Sequence, residues 1–248
     1  MLDFINHILL LFISVLIVLI GFYHYAKGII FDFAPVLAQR TSLVSTYPLS
    51  QVTGLVELVM VAICHIIFCF TLLVVFKIDC STIFQINFLD CLYGGLIGIG
   101  TIGLSILLCT IAMKIMEYCN VEKVPKTLDG WMAIANAGWI RHHNDTVKIL
   151  PLYATLIVIT MQVGSEEIIF RAVLFNAFMP YGILTAFIIA TGLFIYMQTL
   201  HMPSKMSAMF PAIGATVMGV THGLLYLHNP SIIPLVISHV TFFIFTVI

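Results

Sequence analysis

Apolar runs of roughly 20 residues recur from one end of the chain to the other, and each is long enough to cross about 30 Å of hydrocarbon as a helix. Seven can be drawn, over about 5–23, 54–76, 92–116, 149–178, 183–201, 208–226 and 231–248. Backbone N–H and C=O groups find no water in a bilayer core, so each run is expected to be helical. The expected fold class is all-α: a polytopic transmembrane helix bundle of about seven spanning helices plus an interfacial helix. Composition matters here in one respect. With 61% hydrophobic and 8% charged residues, there is too little polar surface to coat a soluble globule of 248 residues.

The first run reads as a retained span and not as a cleavable signal, because Met1-Leu-Asp-Phe-Ile-Asn-His offers an acid and no Lys or Arg before Lys27. Pro180-Tyr181-Gly182 and Asn229-Pro230 are turn signals that make the last helices antiparallel neighbours. Assigning the basic residues to connections puts Lys27, Arg40, Lys114, Lys123, Lys126, Arg141, Lys148 and Lys205 on one side and Lys77 on the other. The positive-inside rule then predicts an outside amino terminus and a cytoplasmic carboxyl terminus. The longest cytoplasmic connection, about 115–148, carries Trp131, Ile134, Ala135 and Trp139 at helical spacing. That pattern fits either a helix lying in the headgroup layer or a loop packed on the protein itself. Two parts are thus expected: 1–148, amino-terminal spans and an amphipathic connection, and 149–248, a helical core that carries the chemistry.

A net charge of −1 argues against a nucleic-acid partner, since phosphate binding needs clustered basic groups. Cys64, Cys69, Cys80, Cys91, Cys109 and Cys119 lack the paired close spacing of zinc or redox sites, so most are read as buried thiols. Cys80 and Cys91 flank one loop and are placed to pair in an oxidising compartment.

Ionisable groups within a span cost several kcal/mol unless paired or hydrated, which singles out Gly164-Ser165-Glu166-Glu167-Ile168-Ile169-Phe170-Arg171. Glu167 and Arg171, four apart, share a helical face and can pair. Glu166 points about 100° away, on the face of Gln162 and Phe170, as a spare carboxylate. The bland reading is one buried network that fixes helix packing; the functional one is favoured because two acids and one base leave a group uncompensated. His201 ends the fifth run and alone would be an interfacial residue. His239 lies inside the seventh and needs a partner, which for a lone histidine is ordinarily a core hydrogen bond. A carboxylate and two imidazoles converging from three helices would instead deprotonate water and stabilise an oxyanion. Glu57 and His65, eight apart and about 80° off a common face, are not expected to bond directly, and Glu57 is read as interfacial.

Glu166-Glu167-x-x-x-Arg171, a histidine about thirty residues on, and another in the last helix resemble the CPBP or Abi family of intramembrane proteases. That family includes the CAAX prenyl endopeptidases of eukaryotes and many bacterial proteins linked to bacteriocin processing or self-immunity. The resemblance covers roughly 150–245. It implies a glutamate-type endopeptidase of the bacterial plasma membrane, acting on a peptide or prenylated tail, in which Glu166 and His201 activate water and His239 stabilises the oxyanion. Two departures stand out. The family's second motif has an aromatic residue four before its histidine, where this chain has Met197, with Tyr196 and Phe194 close by. Its third motif has Asn or Asp four after the histidine, where this chain has Phe243; His222, Asn229 or Thr241 are the candidates to stand in. The alternative function is a non-catalytic immunity or signalling protein that keeps the fold and binds without cutting. No cofactor is expected. Zinc held by Glu166, His201 and His239 is chemically possible, but the resemblance favours a metal-free site. Neither His-Glu-x-x-His nor Gly-x-Ser-x-Gly occurs, and Ser105 is an ordinary helix serine.

Overall fold

The computed structural model describes residues 2–122 and 124–247, and they form an all-helical membrane bundle with no strand among them. The chain begins with α1 (Leu2–Ile20), which runs through a π-helical turn (Gly21–Ala26) into α2 (Lys27–Gln39) as one rod. Next come α3 (Leu49–Val75), the short α4 (Cys80–Ile83) and α5 (Phe88–Tyr118). Two further short helices, α6 (Leu128–Ala135) and α7 (Trp139–Ile149), precede a second rod made of α8 (Leu152–Glu167), a π-helical segment (Ile168–Phe175) and α9 (Asn176–Phe178). The chain ends with α10 (Ile183–Thr199), α11 (Lys205–His228) and α12 (Ile233–Val247).

Among the described residues, four stretches are long and apolar enough to cross a membrane: Leu9–Gln39, Leu49–Val75, Phe88–Tyr118 and Lys205–His228. Ile183–Thr199 and Ile233–Thr246 are apolar but shorter. The outward faces of these helices display large side chains such as Ile17, Ile67, Phe70, Leu96 and Ile106. So continuous an apolar flank suits lipid and would be a liability in water.

The rod from Leu152 to Phe178 is central, touched by α3, α10, α11 and α12. Its π-helical segment is buried at every position from Ile168 to Phe175. Phe170 packs against both Phe194 of α10 and Tyr23 of the first rod, with ring centroids 5.1 and 6.3 Å apart. Both π-helical segments therefore meet at one place, just where the chain carries its buried charges. A π-turn re-aims the side chains around it, which is why such turns gather at functional sites. On the far side, α5 meets α12 at very short range, because Gly94 and Gly98 offer no side chain to the backbone at Pro234 and Ser238.

Several expectations are corrected. The first apolar run does not stop near residue 23 but continues to Gln39, so Lys27 is in a helix and buried instead of lying on a connection. Lys114 likewise sits on α5 and pairs with Glu117 at 2.8 Å. Lys123 and the Trp139 side chain lie outside the described residues. The 115–148 connection holds two helices instead of one, broken between Ala135 and Trp139, where Gly138 adopts a φ of 62°. Trp131 is buried edge-on against Phe210 of α11 at 6.1 Å, so α6 packs on the protein by that face. Glu57 is not interfacial: it is buried on α3 with its Oε2 2.7 Å from His142 Nε2 of α7. All six cysteines are free thiols, Cys80 and Cys91 included.

Candidate functional site

The two adjacent glutamates end α8 and, as successive residues on a helix, point in different directions. Glu167 is fully buried and serves three partners. Its Oε2 lies 3.3 Å from Arg171 Nε, one turn on, as the four-residue spacing requires. Its Oε1 accepts from His239 Nδ1 of α12 at 2.7 Å and lies 3.1 Å from His222 Nδ1 of α11. His222 in turn is 2.8 Å through Nε2 from Ser238 Oγ. The Arg171 guanidinium stacks over the Phe194 ring, 4.4 Å from its centroid. One carboxylate thus ties α8, α11 and α12 together, and a buried carboxylate is tolerable only with such company.

Glu166 takes a different set. Gln162 Nε2 donates to its Oε1 at 3.2 Å, from the shared face one turn back, and Gln198 Nε2 of α10 donates to its Oε2 at 2.9 Å. The charged or ionisable groups that act on it are His239, Lys27 and Glu167. Lys27 comes from the first rod, where its ammonium sits 5.2 Å above the Tyr23 ring.

His201 is elsewhere. It occupies the turn after α10 with a φ of 63°, and its Nε2 is 3.0 Å from the backbone oxygen of Tyr23. Its ring stacks parallel to His24 at 5.6 Å and meets the edge of Phe31 at 5.5 Å. Of the expected triad, Glu166 and His239 are brought together and His201 is not. The position that faces Glu166 from α10 belongs to Gln198, three residues earlier.

The candidates for oxyanion support are also dispersed. His222 joins the cluster, but on the Glu167 carboxylate. Asn229 donates to Asp90 Oδ2 at 2.6 Å and pins the α11–α12 connection to the start of α5. Thr241 faces Gly98 of α5. Phe243 stacks on His239 at 5.6 Å and on His143 at 4.6 Å.

A cavity of about 350 Å³ opens beside this cluster, between α5, α10, α11 and α12. Its wall is largely aliphatic and aromatic, with Ile106, Met113, Phe210 and Met218, and the buried cluster contributes Gln198 and His239 to it.

Sequence reasoning passed over Gln198, Ser238, Tyr23 and Lys27. A signal for Gln198 was present: Phe194 lies four residues before it, which is the aromatic spacing of the family's second motif. In that register the chain keeps the aromatic residue and carries glutamine in the histidine's place. Nothing marked Ser238 or the first rod, whose contribution depends on tertiary packing alone.

Residues 148–245 match the family model of Rce1-like type II CAAX prenyl endopeptidases. The resemblance read from the double-glutamate motif therefore holds over this part of the chain, which carries Glu166, Glu167, Arg171, Gln198, His222 and His239. Tyr23, Lys27 and Glu57 lie outside it. No curated protein and no solved structure matches the chain.

Proposed function

We propose that this chain is an integral membrane protein of CAAX-protease type that takes the apolar, lipid-modified tail of a peptide or protein into its cavity and holds it without cutting. The surroundings of Glu166 carry this reading. In a glutamate-type hydrolase a carboxylate and an imidazole share the attacking water, and the imidazole helps move its proton. Here Gln162 and Gln198 occupy the two carboxylate oxygens, and a carboxamide has no basic nitrogen to take a proton up. The second departure points the same way, because Phe243 puts a flat ring on His239 where the family carries an amide or acid. The ligand class follows from the cavity: a few hundred Å³ of apolar wall with a small polar end suits a chain-like apolar group bearing one polar terminus. Neither binding nor the alternative below calls for a metal.

The endopeptidase reading keeps one supporting observation. A buried carboxylate hydrogen-bonded to Nδ1 of an imidazole is how hydrolases orient a general base, and Glu167 does this for His239 at the cavity wall. In that case His239 would draw the proton from water, with Glu166 as the second carboxylate.

The two readings part in one experiment. The full chain in lipid nanodiscs is given a farnesylated peptide ending in a CAAX-type sequence and carrying a photoreactive group on its isoprenoid. Binding without cutting predicts crosslinks to cavity residues such as Ile106 and Met218, with the peptide intact. Release of a carboxyl-terminal fragment, lost in Glu166→Ala or His239→Ala, would establish the endopeptidase and overturn the proposal.

A further inference from the structure

We infer that Glu167 holds His239 as its Nδ1–H tautomer, so that Nε2 is a bare acceptor toward the cavity and the cavity selects an apolar chain whose end carries an N–H or O–H donor. The inference rests on the cavity-binding reading and names the chemistry of what the cavity takes.

The tautomer follows from the inventory of donors and acceptors. An ionised carboxylate only accepts, so the 2.7 Å contact between Glu167 Oε1 and His239 Nδ1 requires the hydrogen on Nδ1. A neutral imidazole with Nδ1–H has its lone pair on Nε2, on the opposite side of the ring. Charge agrees with neutrality. The Glu167 carboxylate is balanced by Arg171 at 3.3 Å and the Glu166 carboxylate is faced by Lys27, so a further buried cation here would be uncompensated.

The neighbouring imidazole is used up in the same way on both sides. His222 sets Nδ1 3.1 Å from the same carboxylate oxygen, and with its hydrogen on that nitrogen its Nε2 accepts from Ser238 Oγ at 2.8 Å. His222 is fully buried and is not part of the cavity wall, whereas His239 is. Of the two imidazoles on Glu167, His239 is the one presented to a ligand. Its ring plane is fixed by Phe243 stacked at 5.6 Å and 27° and by Phe194 nearly perpendicular at 6.1 Å and 89°. A ring held in this way keeps its lone pair in one direction. A hydrocarbon or ester end leaves that acceptor unpaired in an apolar space, while a primary amide or hydroxyl pairs with it. One hydrogen bond made or missed at a buried acceptor corresponds to roughly a tenfold difference in affinity.

The test uses the full chain labelled with ¹⁵N-histidine in phosphatidylcholine nanodiscs, with the His239 signals assigned by their loss in His239→Asn. Nitrogen NMR distinguishes protonated from bare ring nitrogens. Decanamide and methyl decanoate, which share a chain of the same length, are then titrated, with affinities referred to concentration in the membrane. The expected result is a protonated Nδ1 and a bare Nε2 on His239, an Nε2 signal that moves on adding decanamide, and about tenfold tighter binding of decanamide. A protonated Nε2, or equal affinity for the two probes, overturns the inference and leaves cavity binding standing. Failure of both probes to bind overturns the selectivity and the cavity reading together.

Discussion

Gln198 of α10 donates to Glu166 of α8 across 32 positions of chain, Nε2 to Oε2 at 2.9 Å. That bond puts a neutral carboxamide where water activation by a glutamate needs a base. It also explains why Glu166, the spare carboxylate of the double-glutamate motif, survives burial: it has two donors, and Lys27 of the first rod faces it electrostatically.

If glutamine and phenylalanine are what withhold hydrolysis, returning both groups should supply it. The double variant Gln198→His with Phe243→Asn is expected to cleave a farnesylated peptide in proteoliposomes at a rate about 10²–10⁴ above the parent chain, the usual contribution of a general base. Chromatography of the released fragment measures it. A parent chain that already cleaves as fast as the double variant would mean that Gln198 is not the limiting substitution.

Arg171 supplies the positive charge of the Glu167 cluster. Arg171→Ala leaves a buried carboxylate without its guanidinium partner, a loss that typically costs about 3–5 kcal/mol. The expected outcome is a sharp fall in folded yield after detergent extraction and a lower unfolding midpoint. Arg171→Lys should recover only part of the loss, because a single ammonium does not reproduce the guanidinium plane stacked on Phe194 at 4.4 Å. A fully stable Arg171→Ala protein would remove the structural role assigned to this pair.

What the sequence made legible was local. Helices came from apolar runs and the Glu167–Arg171 pair from four-residue spacing, since both depend only on helix geometry, whereas Gln162 was placed on the face of Glu166 without being read as its partner. The failure of His201 was also foreshadowed. Measured from the outer helix ends, Glu166, His201 and His239 fall at depths of about 18, 27 and 12 Å at helical rise, and His201 is the outlying member. Attaching the family's histidine to the nearest histidine in the sequence obscured Gln198, although Phe194 already marked the register. The parts that stayed hidden are the long-range ones. Lys27 looked like a loop residue because the first run ends in apolarity before its helix ends, and Glu57 meets His142 only because α7 folds back on α3.

Asp79 offers a pH-dependent anchor outside the long apolar helices. Its carboxylate caps α4, accepting from Ser81 N at 2.9 Å, Ser81 Oγ at 2.7 Å and Thr82 Oγ1 at 2.9 Å. The Ser81 and Thr82 hydrogen bonds hold its pKa below the usual carboxylate value. A folded pKa below the unfolded one means stabilisation that is present above the unfolded pKa and lost as pH falls through the folded one. Ile83 O of this turn receives the backbone N–H of Ile232 at 2.8 Å, so α4 also steadies the entry to α12. Protection from hydrogen exchange over 79–84 and at Ile232, referred to the intrinsic amide rate at each pH, should therefore fall on acidification, and Asp79→Asn should flatten that dependence. An identical pH profile in the variant would exclude the cap as its source.

The position of His239 depends finally on how closely α12 can approach α5. A β-carbon at Gly94 would stand 2.3 Å from Pro234 O and 2.9 Å from Pro234 Cα, and one at Gly98 would stand 2.7 Å from Ser238 O. These are backbone atoms and cannot rotate aside, so an added methyl must push the helices apart. Overpacking of this kind costs about 1–3 kcal/mol. The displaced helix carries Ser238 and His239, whose contacts to His222 and Glu167 at 2.8 and 2.7 Å leave little tolerance. Gly94→Ala is expected to lower the unfolding midpoint in micelles and to weaken ligand binding together. Gly95, one residue along the same helix, meets nothing within 4 Å. Gly95→Ala should therefore keep binding intact and leave stability unchanged or raised by up to about 1 kcal/mol through helix propensity. Equal losses in both variants would show that helix α5 resists any added side chain, and that its contact with α12 is not what sets the site.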